Sequence, residues 1–352
     1  MPEAEPGFVA AALAAGATAR FTLAGAALRA DTAEAQFLWT MGDDAVAPVA
    51  APPPSTAVEA ARRAAEAALH SRAEPVRWPT LHFGAWQALA QHGLLAASDD
   101  PVTSMHRRLD PVFRDVQHFR RLEAEAKDDL STGLWFLPEG AAPAELPLSD
   151  RVEEGVRRQL LSGQPASTQA VMSAACAEFA GLLTPDQSLV RACLQSYARE
   201  VERDVWQLRP EDAASARALE LDAILAQLRV LAVRHAFDVV DTNPQAWREG
   251  GETVYLFAVT TTAALSARWL GPQLHARRRF LVLPGGRAEL AAFKLRRDPR
   301  LKAAMQRHDW VILKFRQVRQ MAANTLLTRA TLEPAFYADP LDEEATQLTL
   351  GA

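Results

Sequence analysis

The sequence predicts a mixed α+β fold, with a helical N-terminal half and a C-terminal α/β domain. Three observations carry this. Up to about residue 236 the chain is rich in helix formers punctuated by start and stop signals, among them Gly93, Gly163 and Thr184-Pro185-Asp186. From Phe237 onward the apolar pattern turns strand-like. The third is a reversal of charge: residues 271–320 hold ten Arg, three Lys and only three acids, Glu289, Asp298 and Asp309, a net +10 in a chain whose formal charge is −5. The rest of the chain therefore carries −15. Such a segment on an acidic body points to one surface that meets a polyanion.

A chain of 352 residues predicts two or three domains, each able to bury a core. The 49% hydrophobic and 23% charged fractions are those of a globular protein. Cys176 and Cys193 form neither a CxxC pair nor a disulfide framework, which fits a reducing cytoplasm. The N-terminus opens on Glu3 and Glu5, and its Ala-rich stretch is broken by Gly16 and Arg20. Neither a signal peptide nor a membrane span is expected.

The elements follow in order. Residues 1–46 form an Ala-rich N-terminal segment, closed by a linker over 47–55 that contains Pro52, Pro53 and Pro54. Residues 56–140 are expected as a helical domain. Its first helix, over 57–73, reads as exposed. A second begins at Trp78-Pro79-Thr80 with Phe83, Trp86, Leu89 and Ala90 on one face, and a third covers about 104–126. Gly133 to Pro138 is a strand. Helix, turn, helix and aromatic strand is the order of a winged helix. Residues 147–236 are expected as a helical domain, with Asp150 and Glu153 as a capping box. Its long last helix runs from Pro210 to His235, with Leu219, Ala223, Leu225, Leu228, Leu231 and Ala232 as the buried stripe. Residues 237–332 form the basic α/β domain. Strands are expected over 237–241, 254–262, 280–283 and 310–315, with a helix over 285–297. The last strand places Lys314 and Arg316 on one face. Residues 333–352 read as an acidic, loose tail.

The basic segment supplies the candidate binding residues: Arg277, Arg278, Arg279, Arg287, Lys294, Arg297, Lys314 and Arg316. Convergent, they would neutralise several phosphates and give salt-sensitive DNA binding. His106, Arg107 and Arg108 are expected to add duplex contacts. Leu283-Pro284-Gly285-Gly286-Arg287 leads a strand into a helix N-terminus, a place that favours an anion or serves as a plain tight turn. It is neither a Walker A loop nor GxGxxG. The eight histidines are scattered without HxxxH or HExxH spacing, and no metal or cofactor is expected.

The order α, β, β, β, α, β resembles the restriction-endonuclease-like core, whose active members set an acid on the second strand and Asp/Glu-x-Lys on the third to hold a metal. Neither motif stands on the expected strands, so the resemblance implies a catalytically degenerate core. Pro147 to Glu153, Cys193 to Tyr197, Trp206 to Asp212 and Leu281 to Lys294 are similar to regions that accompany bacterial DNA methylases of restriction-modification and phage-defence loci. This resemblance spans about residues 132–330 and includes no Asp/Asn-Pro-Pro-Tyr/Phe motif. It implies an accessory, target-contacting protein. The expectation is a cytoplasmic, non-catalytic DNA-binding subunit that works with other subunits and not with a membrane. The alternatives are a scaffold whose basic face docks an acidic protein, or a divergent metal-dependent nuclease using Glu220, Asp222 or Glu289.

Overall fold

The computed structural model describes residues 56–95, 101–115, 117–122, 129–138, 146–265 and 275–339. The segment 1–46, the linker at 47–55 and the tail from residue 340 lie outside the described residues. The architecture is mixed α+β, with a helical N-terminal region and a C-terminal sheet. The chain divides into two compact units, residues 1–148 with 174–186, and residues 149–173 with 187–352.

The first unit begins with α1 (Ala57–Arg72), whose N-cap Thr56 accepts from the Glu59 amide. The helix is not exposed all round. Ala60, Ala61, Ala65, Ala68 and Leu69 are buried, because their small side chains let the helix lie close on α2 (Trp78–Gln91). Strand β1 (Val76–Arg77) precedes α2, and α3 (Pro101–Phe113) follows it. The buried face of α2 is Leu81, Ala85, Trp86 and Leu89. Phe83 and Ala90 are only half-buried. The third helix stops at Phe113, well short of residue 126, and the chain continues as β2 (Arg120–Leu122) and β3 (Leu134–Phe136). The three strands form an antiparallel sheet in the order β1-β3-β2. Trp135 on β3 lies opposite Val76 and is buried, with its indole N–H donating to the Leu130 carbonyl.

The same element order then recurs. Helix α4 (Leu148–Leu160), β4 (Ala166–Ser167), α5 (Thr168–Glu178), α6 (Gln187–Tyr197), β5 (Ala198–Glu202) and β6 (Val205–Leu208) follow in sequence. Their antiparallel sheet has the order β4-β6-β5. Trp206 on β6 lies opposite Ala166, the place Trp135 takes in the first copy, and its indole N–H donates to Thr168 Oγ1 at 2.8 Å. The stretch expected to be wholly helical thus holds three strands. They are two to five residues long and half polar, so they carry almost no period-two signal.

A 3₁₀ turn over Pro210–Asp212 leads into α7 (Ala214–Arg234), the longest described helix. The C-terminal sheet follows: β7 (Asp238–Val240), β8 (Gln245–Glu249), β9 (Glu252–Val259), β10 (Arg278–Leu283) and β11 (Trp310–Lys314), in the order β11-β10-β9-β8-β7. Strand β8 is antiparallel to both neighbours, while β9, β10 and β11 run parallel. Sequence reading missed β8, which ends at the Gly250-Gly251 hairpin where both glycines have positive φ. Helices α8 (Gly285–Arg297) and α9 (Pro299–Arg307) connect β10 to β11, and α10 (Phe315–Ala323) and α11 (Arg329–Phe336) complete the unit.

One core joins α7 to this sheet. Ile224, Leu228, Leu231 and Ala232 pack with Trp247, Phe257, Phe280, Leu313 and Phe336. Phe257 and Phe280 stack at 5.2 Å across β9 and β10. No unit boundary falls at 236/237, because this core spans it. Two of the six residues expected on the buried stripe of α7, Leu219 and Ala223, face solvent. The residues read as a loose tail also behave otherwise up to Asp339. Phe336 enters the core, and Asp339 holds two cations.

Candidate nucleic-acid interface

Two of the predicted phosphate contacts lie inside the second unit. Arg287, on the first turn of α8, is almost fully buried. Its Nε donates to the Thr261 carbonyl at 3.1 Å and its Nη1 to Ser196 Oγ at 2.9 Å and to the Ser196 carbonyl. Its Nη2 pairs with Asp212. The guanidinium also lies 3.2 Å from the centroid of the Tyr197 ring. Burial pulls the Arg287 pKa down, against the pull of Tyr197 and Asp212.

Lys294, two turns further on, is equally buried. Its Nζ donates to Asp150 Oδ1 and Glu153 Oε2, each at 2.5 Å, and to the Ala263 carbonyl at 3.2 Å. Burial alone would lower the lysine pKa, but the Glu153 and Asp150 carboxylates outweigh it and hold it above the ordinary value. Glu153 is held down in turn. Its burial acts upward, and Lys294 and the donors from Tyr197 and the Ala263 amide overcome it. Asp150 and Glu153 therefore do not form the expected capping box. They stand three apart on the inner face of α4 and clamp a lysine from α8.

The two cations belong to one network. It runs from Lys294 through Glu153, Tyr197, Arg287 and Asp212 to Arg217, then through Glu220 to Arg319. Each buried cation meets at least one carboxylate, the condition under which such charges are tolerated inside a protein. Arg287 and Lys294 are thus withdrawn from any outside polyanion. The Gly285-Gly286 turn serves this packing: a Cβ on Gly286 would lie 3.0 Å from the Ser196 carbonyl oxygen. A solvent-open cleft of about 220 Å³ reaches the network between Arg157, Tyr197, Asp212, Arg217, Thr261 and Arg287.

Four more candidates are engaged nearer the surface. Arg278 pairs with Glu333 at 3.1 Å, and Arg279 donates to the His308 carbonyl. Lys314 and Arg316 share Asp339, at 2.7 Å and 2.6 Å. They do not stand on one strand face, because β11 ends at Lys314, which is buried, and Arg316 is on α10. Arg297 is half-buried and Arg277 is exposed.

Other exposed cations stand outside the eight candidates. Arg296 and Arg307 are exposed on α8 and α9. In the first unit Arg107 on α3 and Arg120 on β2 are exposed. Arg108 donates to the Leu94 carbonyl at 3.3 Å, and His106 packs edge-on against Trp78. In the second unit Gln187, Arg191 and Gln195 are exposed on α6 at i, i+4 and i+8. Sequence reading missed this row. Its signal was the single polar stripe on a helix whose other positions, Leu189, Val190, Cys193 and Leu194, are apolar and buried.

Glu220 is held by Arg217 and Arg319, Glu289 and Asp222 are exposed, and no three His, Cys, Asp or Glu side chains among the described residues are grouped to hold a metal ion. No described helix is long and apolar enough to cross a membrane. Compared with known proteins, the chain matches no family model and none of the curated proteins.

Proposed function

We propose that the protein is a non-catalytic DNA-contacting subunit of a bacterial defence or DNA-processing system. The observation that carries this reading is the repeated α-β-α-α-β-β order with a first-third-second antiparallel sheet. That order resembles a winged helix, in which the third helix enters the major groove. Here the third helices are α3 and α6. The first exposes Arg107, and the second exposes Gln187, Arg191 and Gln195. Arg and Gln are the side chains that bond guanine and adenine edges bidentately. Arg120, Arg277, Arg296 and Arg307 would serve the phosphates.

The C-terminal sheet supports the non-catalytic part. Its order, with only the second strand reversed, resembles the restriction-endonuclease-like core. On the two strands where active members carry their metal-binding acids, β8 opens on buried Gln245, which donates to Asp241 and the Leu225 carbonyl. Acids on β8 and β9 occur only at the hairpin, as Glu249 and Glu252. The likeness of residues 132–330 to regions accompanying bacterial DNA methylases favours a restriction-modification or phage-defence setting.

Fluorescence anisotropy with labelled duplex over a salt series tests this. We expect a log–log slope equivalent to about four or more released counterions, reduced by about two in the Arg120→Ala/Arg277→Ala variant. Absence of binding at low salt would overturn it in favour of a scaffold.

A further inference from the structure

Helix α7 is apolar on two opposite sides. Ile224, Leu228, Leu231 and Ala232 face the core. At about 100° per residue, the opposite crest holds Leu219, Ala223, Ala226, Val230 and Val233. All five are exposed, with Leu219 at 72%, Val230 at 53% and Val233 at 68%. Their spacing is four, three, four, three, the seam of a coiled coil. A surface helix with one partner carries polar residues there.

The charges beside the crest are arranged to meet themselves. Asp222 and Arg229 lie on the same flank, one heptad apart, with the acid toward the N-terminus and the base toward the C-terminus. On the other flank Glu220 and Arg234 follow the same order, and both are already engaged with the α10 region. We infer that α7 is a self-association face, on which two copies of this chain pair antiparallel about a two-fold axis at Ala226. That register sets Leu219 opposite the partner's Val233 and brings Ala223 within one residue's rise of the partner's Val230. It also brings Asp222 within one residue's rise of the partner's Arg229 on the same flank, twice by symmetry. Arg229 is half-exposed and pairs with Asp241, but a guanidinium has five donors and can hold a second carboxylate. Alanine at the centre lets the helices approach closely, and antiparallel dipoles favour the pairing. A parallel pair would bring Arg229 against the partner's Arg234 and is disfavoured.

The seam is short. It would bury on the order of 1,000 Å² in total, at the small end of stable interfaces, so self-association in the micromolar range is expected. Sedimentation velocity of the full chain without nucleic acid, from about 1 to 100 µM, measures it. The expected result is a concentration-dependent dimer, with Val230→Glu/Val233→Glu raising Kd on the order of a hundredfold while thermal melting stays unchanged. Asp222→Arg and Arg229→Asp should each weaken the dimer, and the two together should restore it, which only antiparallel α7 pairing predicts. Ala226→Cys in a Cys176→Ser background should cross-link to itself under oxidation. A chain that stays monomeric at 100 µM, or a dimer indifferent to both the glutamates and the charge exchange, overturns the inference.

Discussion

Lys294 and Arg296 stand two residues apart on α8, in the same basic run, and face opposite environments. The first is enclosed and clamped by Asp150 and Glu153 from α4, and the second is exposed. The same split separates Arg287, held by Asp212 and Ser196, from Arg277. A run of thirteen cations is therefore not one surface. Part of it, paired with acids from distant positions, ties α4 and the 3₁₀ turn before α7 to α8. The comparison teaches that cation density reports a polyanion site only after the buried pairs are subtracted.

The largest test of this contrast is Lys294→Met. It leaves two carboxylates in the interior without their cation, and about 3–5 kcal/mol of stability should be lost in denaturant unfolding. Adding Asp150→Asn and Glu153→Gln should recover part of the loss. If Lys294→Met were as stable as wild type, the lysine would not be the keystone of that network. Arg287→Leu should cost about 3 kcal/mol for the same reason, with Asp212 and the Ser196 and Thr261 carbonyls left short of donors.

His82 extends the contrast, because it is a half-buried base that meets no carboxylate among the described residues. Burial, and then the nearby His106, lower its pKa to about 4, and its Nε2 has no hydrogen-bond partner among the described residues. Between pH 6.5 and 4 the unfolded chain takes up a proton that the folded chain refuses, so stability is lost as pH falls through that window. The loss should be about 1–2 kcal/mol after solvent screening, and His82→Phe should remove it. A pH profile identical in the variant would count against this assignment. The smallest stability effects belong to the exposed set. Arg107→Ala, Arg191→Ala and Arg296→Ala should each leave folding stability within about 0.5 kcal/mol of wild type, while Arg296→Ala lowers the salt slope of DNA binding by about one and the other two each cost about 1–3 kcal/mol of affinity and relax sequence preference. Loss of stability without change in binding would put these arginines on the structural side.

Local signals in the chain were sufficient for some elements. The helix over 285–297 follows from the strand-to-helix turn at Pro284-Gly285-Gly286 and from the apolar positions after it, and the structure places it at those residues. The apolar run at 280–283 marked a buried strand. These features depend on neighbours within a turn or a hairpin, where backbone sterics and periodicity act directly. The second α-β-α-α-β-β unit was not legible, because strands of two to five polar-rich residues have no period of their own and form only when a helix packs beside them.

The mixed α+β class, the C-terminal sheet after residue 236 and the cationic segment are legible in the chain alone. Which cations lie inside depends on the folded molecule. Asp150 and Glu153 are more than 140 residues from Lys294, and Asp212 is 75 residues from Arg287. Pairing over such separations depends on how helices pack on the sheet, and no local pattern encodes it. The same holds for Leu219, whose apolar side chain satisfies a helical stripe in the sequence and faces solvent in the fold.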